Sequence, residues 1–264
     1  MTCPPSDQIP EANPAWTDKR PEIQPVLLLT RPRAAAERFA AQLPPQLRYR
    51  LQIEIAPLAQ ILPTRAPVPD PDGFDYVVFT SENGAQMLGG APRALPAWCV
   101  GARTADVANG LGYRIAHVAP DVAALLTALK DARPKGRGLY ARGVQVSRPL
   151  VETLAQHGLQ IDEVMLYRQA PCDWEPDLLA QLGGRRLLAP LFSPHIARRF
   201  RAAIEGKGLD VCAITFSPSV AEALGPDFAG EILTCASPDA GVMVEAIEGL
   251  LDAWGTLERG GSPS

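Results

Sequence analysis

Hydroxyl-bearing residues, arginines and glycines recur at one kind of place in this sequence. Thr30-Arg31, Thr80-Ser81, Gly101–Thr104, Arg142-Gly143, Ser193-Pro194 and Ser217–Ser219 each follow a short apolar run and precede a helical pattern. In an open parallel sheet that place is the carboxyl end of a strand, where ligands bind. Backbone amides and the positive end of the next helix favour an anion there. The chemistry this suggests is recognition of an anionic molecule by amides, hydroxyls and arginines. Taken singly, each Ser or Thr also reads as a helix cap. Arg31, Arg103, Arg142 and Arg148 also read as surface residues, and Arg198, Arg199 and Arg201 as a solvated helix face. The functional reading rests on the coincidence of many such places.

Other chemistries find little support. The three histidines, His117, His157 and His195, form no H-E-x-x-H or close pair, which speaks against metal hydrolysis. There is no G-x-S-x-G elbow, no G-x-x-x-x-G-K-[ST] loop and no dinucleotide fingerprint in VLLLTRPRAAAERF. Five cysteines (Cys3, Cys99, Cys172, Cys212, Cys235) stand far apart and in odd number, so they read as buried thiols of a reducing cytoplasm. A net charge of −4 argues against general nucleic-acid binding. The composition, 47% hydrophobic and 20% charged, is that of a globular protein. No apolar run reaches the roughly 18–20 residues of a membrane span. The expectation is a site without cofactor or metal.

The elements that must position these residues alternate in type. Strand patterns fall at Val26–Thr30, Leu51–Leu58, Tyr76–Ser81, Ala97–Gly101, Arg114–Ala119, Gly138–Gly143, Ile161–Gln169, Arg185–Ser193, Val211–Ser217 and Glu231–Ser237. Between them lie amphipathic helices, among them Ala34–Leu43, Asp121–Lys130 behind an Asp cap, and Ser147–Gly158 with a Ser cap and a Gly stop. Such alternation predicts parallel sheets covered by helices. The order also repeats. Phe79–Leu88 is echoed by Phe192–Phe200, Cys99–Ile115 by Thr215–Ile232, and Val118–Leu129 by Cys235–Ile247. Two related α/β lobes account for this, and two tandem lobes fit it equally well.

Five blocks in register, VLLLTRP, FTSENG, VGARTADVANGLGYR, YARG…SRPLVETLAQHG and EVMLYRQ, make the chain resemble the uroporphyrinogen-III synthases from about Val26 to Leu251. The resemblance implies two similar flavodoxin-like lobes, each a parallel sheet flanked by helices, joined by a two-stranded linker. One lobe is then discontinuous, residues 22–51 with 172–255; the other is 52–171, with linker strands near Gln52–Leu58 and Glu163–Gln169. Residues 1–21 would be a flexible arm and 256–264 a flexible tail. Two lobes facing each other across their strand ends would build the ligand cleft.

The implied activity is that of a cofactor-free lyase. Hydroxymethylbilane, which carries eight carboxylates, loses its hydroxyl as water and closes through a spiro intermediate with ring D inverted. By the same resemblance Tyr167 matches the family's tyrosine and would assist the departing hydroxyl, while Thr104 would orient that site. Arg31, Ser81, Asn83, Gly101, Arg142, Arg148, Ser193, Ser217 and Ser219 are assigned to substrate binding. The expected partner is hydroxymethylbilane, with no nucleic acid and no membrane. The expected state is a cytoplasmic monomer, in at most transient contact with the preceding pathway enzyme. One departure stands out. In the second copy of the V-G-x-x-T-A turn, Ser217 replaces the glycine and Val220 the threonine. That departure keeps an alternative open, a catalytically altered paralogue that binds an acidic tetrapyrrole or other anion in the same inter-lobe cleft.

Overall fold

Short apolar runs become strands and amphipathic runs become helices, in strict alternation over most of the chain. The computed structural model describes residues 24–91, 93–145 and 149–260. In chain order the elements begin β1 (Val26–Leu29), α1 (Arg33–Gln42), α2 (Pro45–Arg50), β2 (Gln52–Ile55) and β3 (Ala59–Pro63). They continue with β4 (Tyr76–Phe79), α3 (Glu82–Leu88), β5 (Pro96–Val100), α4 (Ala102–Gly110), β6 (Arg114–Ala119), α5 (Val122–Ala132) and β7 (Arg137–Gly143). After these come α6 (Leu150–Ala155), β8 (Gln160–Pro171), α7 (Pro176–Leu182), β9 (Arg186–Leu191) and α8 (Pro194–Ile204). The last are β10 (Asp210–Thr215), α9 (Pro218–Glu222), β11 (Glu231–Thr234) and α10 (Ala240–Gly260).

The chain divides into two compact units, one running up to Pro57 and resuming at Trp174, the other spanning Leu58–Asp173. In the first, the sheet order is β11-β10-β9-β1-β2, and every pair is parallel. All four residues of β1 are buried, as a central parallel strand covered on both faces requires. Leu27, Leu29, Leu188, Cys212 and Ile214 share one core with Phe39 of α1 and Met243, Ile247 and Leu251 of α10.

The second unit has the order β3-β8-β7-β4-β5-β6. Side chains alternate across a strand, so β4 feeds two cores. Val77 and Phe79 pack with Ala85, Leu88, Ala105 and Ala108 of α3 and α4. Tyr76 and Val78 pack with Leu125, Leu129, Leu150 and Leu154 of α5 and α6. Truncating one of these fully buried leucines to Ala would cost about 2–5 kcal/mol.

Sheet order extends the internal repeat beyond what the sequence echoes. β4-β5-β6 and β9-β10-β11 are equivalent runs, and beside them β7 and β8 occupy the places that β1 and β2 occupy in the other sheet. The N-terminal strand and helix therefore complete a sheet whose remaining strands come from the C-terminal part of the chain.

Three features differ from the sequence reading. The run Leu51–Leu58 yields only the four-residue β2, which joins β1; the strand just past it, β3, falls outside the expected runs and pairs antiparallel with β8 in the other sheet. Pro57 lies in the break, where a residue without an N–H cannot serve a ladder. The second sheet is accordingly parallel except at its β3 edge. The helix expected over Ser147–Gly158 is reduced to α6, with Pro149 at its N-cap and no side-chain cap bond; the expected Ser147 cap lies outside the described residues. Finally, α10 continues to Gly260, into the stretch assigned to a tail. The expected arm, residues 1–21, and residues 261–264 lie outside the described residues, as does Cys3.

Candidate functional site

In the second unit the parallel strands β8, β7, β4 and β5 are successive neighbours. Their carboxyl edge brings Tyr167, Arg142-Gly143, Ser81 and Gly101 into one row. Ser81 caps α3, its Oγ accepting from the Asn83 amide at 3.2 Å. Asn83 is half-buried in the first turn. Gly84 has no room for a Cβ, because α3 runs against the Ala141 carbonyl of β7. That close approach holds the Ser81-Asn83 turn against the strand. Beside it Thr80 Oγ1 and the Tyr140 hydroxyl stand 2.9 Å apart, joining β4 to β7. Burial pushes the Tyr140 phenol above its ordinary pKa, and the Thr80 bond opposes that shift.

Gly101 enters α4 at φ +78 and ψ 144, in left-handed backbone that suits glycine. Nothing lies within 4 Å of where its Cβ would stand, so the backbone angle rather than crowding calls for glycine. Thr104, in the first turn of α4, is 6% exposed. Arg103 Nε reaches Glu82 at 3.0 Å, tying the start of α4 to that of α3.

Tyr167 is half-buried on β8, with its ring over the Cα of Gly143. Arg142, by contrast, turns inward on the protein. Its Nε and Nη2 grip both oxygens of Glu163 at 2.7 and 2.8 Å. Its Nη1 donates to the carbonyls of Gly143 (2.8 Å) and Val144 (3.2 Å). The pair holds the Glu163 carboxyl below the ordinary carboxylate range through the Arg142 hydrogen bond, with burial working against it. The pairing is therefore complete above the ordinary carboxylate pKa and is lost as pH falls through the lowered one.

In the first unit the corresponding edge is formed by β1, β9 and β10. Ser193 caps α8, accepting from the Ile196 amide at 3.3 Å, with Pro194 in the first turn. The Arg31 guanidinium lies 4.2 Å from the centroid of the Phe192 ring. Phe192 in turn meets Phe216 at 5.2 Å. Thr30 is fully buried, and its hydroxyl has no partner among the described residues. Ser217 precedes α9 in extended backbone and makes no cap bond; its Oγ lies 3.0 Å from that of Ser219. Val220, standing where the other copy has Thr104, is 1% exposed.

Of the residues selected from the sequence, Tyr167, Arg142, Ser81, Asn83, Gly101 and Thr104 fall at one sheet edge in the second unit. Arg31, Ser193, Ser217 and Ser219 fall at one edge in the first. Arg148 lies outside the described residues. Two residues beside these positions, Tyr140 and Glu163, were not selected, and Gly143 was named only as the companion of Arg142. Tyr140 sits in a run that reads only as strand interior. Glu163 follows Asp162 at the start of the run Ile161–Gln169, and nothing local marks either as the partner of Arg142. Among the described residues no group of three or more His, Cys, Asp or Glu side chains is placed to hold a metal ion. Burial raises the pKa of the Cys99 thiol to about 12 and of Cys212 to about 11, so neither is a thiolate near neutral pH. No helix among the described residues is long and apolar enough to cross a membrane.

Two α/β units of like topology define a doubly wound α/β protein, with hydroxyls and arginine in each gathered where parallel strands end. The family model described as "Uroporphyrinogen-III synthase HemD" matches residues 50–245. The chain belongs to that family, the uroporphyrinogen-III synthases. The fold is also that of the solved uroporphyrinogen-III synthetase of Helicobacter pylori 26695, with a TM-score of 0.61 at 15% identity. That alignment covers 86% of this chain and all 100% of the other. A mutant uroporphyrinogen III synthase from the extremely thermophilic bacterium Thermus thermophilus aligns at 17% identity over 86% of this chain and 99% of its own, with a TM-score of 0.44. No curated protein sequence matches the chain.

Proposed function

We propose that the chain is a working uroporphyrinogen-III synthase, converting hydroxymethylbilane to uroporphyrinogen III and water. Family membership over residues 50–245 carries this reading. The placement of Tyr167 in one row with Ser81 and Gly101 at a sheet edge supports it. In this mechanism the Tyr167 phenol gives its proton to the departing hydroxyl, which leaves as water; the proton shed by ring D on final reclosure restores the phenol. The resulting cationic azafulvene is attacked by the substituted carbon of ring D. The spiro intermediate fragments and recloses with ring D inverted. The pyrroles supply the electrons, so the protein's work is positioning and electrostatics. A phenol is suited to the step because it donates without setting a carboxylate beside the carboxylates of the substrate. Thr104, buried in the first turn of α4, orients this site. Ser81, Asn83, Gly101, Arg31, Ser193, Ser217 and Ser219 contribute amides, hydroxyls and charge to carboxylate and pyrrole binding.

The test is product identity. Purified protein supplied with hydroxymethylbilane generated in situ should yield the type III isomer. Accumulation of type I alone, the product of spontaneous closure, rejects the assignment. A second reading is favoured by the Ser217–Val220 turn, which lacks the glycine and threonine of its counterpart: a paralogue that binds an acidic tetrapyrrole without turnover. It is distinguished by saturable binding of the bilane accompanied by type I product only.

A further inference from the structure

Strands β7 and β8 fall out of step beside Tyr167. Arg142 pairs with Met165, whereas the next residue, Gly143, pairs with Tyr167, so Leu166 is an extra residue on β8. A bulge of this kind bends its strand and re-aims the side chain that follows. Hydrogen bonds pin it on both sides. The Thr64 amide donates to the Leu166 carbonyl (2.9 Å) and its hydroxyl to that of Met165 (2.6 Å), while the Val144 amide donates to the Tyr167 carbonyl (2.8 Å). Gly143 does not have the left-handed backbone that would by itself favour glycine. What excludes a side chain there is the Tyr167 ring: a Cβ would stand 2.7 Å from its Cε2, 2.9 Å from Cζ and 3.2 Å from the hydroxyl oxygen. Arg142 adds the last tie. Its side chain is only 11% exposed, it grips Glu163 on β8 with two bonds, and it holds the carbonyls of Gly143 and Val144. A guanidinium with this many donors engaged has little left for a substrate carboxylate.

We infer that Gly143 and the Arg142–Glu163 pair are positioning residues, which set the Tyr167 phenol over a side-chain-free stretch of β7 and fix its hydroxyl for the reacting group. Arg142 thereby acts through Tyr167 instead of contacting substrate. The inference rests on the role given to Tyr167 above, and its test separates the two.

Protein carrying 3-fluorotyrosine gives one fluorine resonance for each of the five tyrosines, and that of Tyr167 is identified by its loss in Tyr167→Phe. In Gly143→Ala the ring must move, so the Tyr167 resonance should shift more than the other four. A misplacement near 1 Å should lower kcat by roughly 10²-fold, with KM altered by no more than about twofold. Introduced into the Tyr167→Phe background, Gly143→Ala should cause no further loss of kcat, because the group it displaces is already gone. Glu163→Gln, which adds no bulk, should shift the same resonance in the folded protein and lower kcat by a smaller factor. An unmoved Tyr167 resonance in both variants overturns the inference. So does a loss of kcat that persists undiminished in the Tyr167→Phe background. Should the wild-type protein make no type III product, the synthase reading falls, and the fluorine resonances still decide whether Gly143 and Glu163 set the ring.

Discussion

After β5 the chain turns into its helix on Gly101 at φ +78; after β10, at the equivalent place in the other sheet, it turns on Ser217 at φ −161. Topology makes these two turns counterparts, yet they enter their helices differently. The glycine turn needs a backbone conformation that L side chains rarely adopt, although nothing lies within 4 Å of where a Cβ would stand. Ser217 takes extended backbone open to any residue, and its hydroxyl is directed to Ser219. Three residues on, a buried Thr104 in one turn answers a buried Val220 in the other. At this turn the two copies differ: one has a positive-φ glycine followed by a buried threonine, the other an extended serine followed by a buried valine. Tyr167 belongs to the same unit as the glycine turn.

The comparison breaks most sharply at Tyr167. Tyr167→Phe removes one hydroxyl from the unit that holds the Gly101 turn and should lower kcat by about 10²-fold or more, as expected for loss of a general acid. KM should stay close to wild type. The coupled assay that distinguishes the type III isomer measures both, and undiminished turnover rejects Tyr167 as the acid. Next in size is an exchange between the turns. Gly101→Ser forces a side chain into left-handed backbone and should destabilise the protein by about 1–3 kcal/mol. Ser217→Gly relieves no strain and adds freedom only to the unfolded chain, at about 0.5–1 kcal/mol. Urea unfolding of both variants measures the difference. Equal losses would mean that the turns are interchangeable and that Gly101 is not under special constraint.

Much of the fold was legible because short apolar runs and amphipathic periods are local signals. The run at Arg114–Ala119 reads the same in sequence and structure, and the caps at Ser81, Asp121 and Ser193 form the bonds their residue types promise. Legibility failed where one segment serves two partners. LQIEIAPL carries β2 of one sheet, and Ala59, the residue just past it, begins β3 of the other; only pairing shows the change of sheet. At the candidate site the sequence picks out strand ends, but it does not show that Arg142 is paired with Glu163. An arginine at such an end reads as an anion ligand until a carboxylate 21 residues away proves to hold it. Gly143 was visible as part of a motif, but the reason for glycine is a tyrosine ring brought over it by a bulge, which no local pattern encodes.

The smallest expected effect tests whether the serines at these edges are caps or ligands. Ser81 and Ser193 each accept a bond from an amide in the first turn of their helices, at 3.2 and 3.3 Å. Replacing either with Ala should cost about 0.5–2 kcal/mol. Ser217 occupies the same position before α9 without accepting such a bond, and α9 is only five residues long. Ser217→Ala should therefore fall within about 0.5 kcal/mol of wild type, as for surface substitutions away from special features. The three variants, compared by urea midpoint at constant m-value, separate the cases. If Ser217→Ala loses as much as Ser193→Ala, the two turns are capped alike and the contrast reduces to Gly101 alone. If it loses nothing in stability but raises KM for the bilane, its hydroxyl is held for ligand and not for the helix.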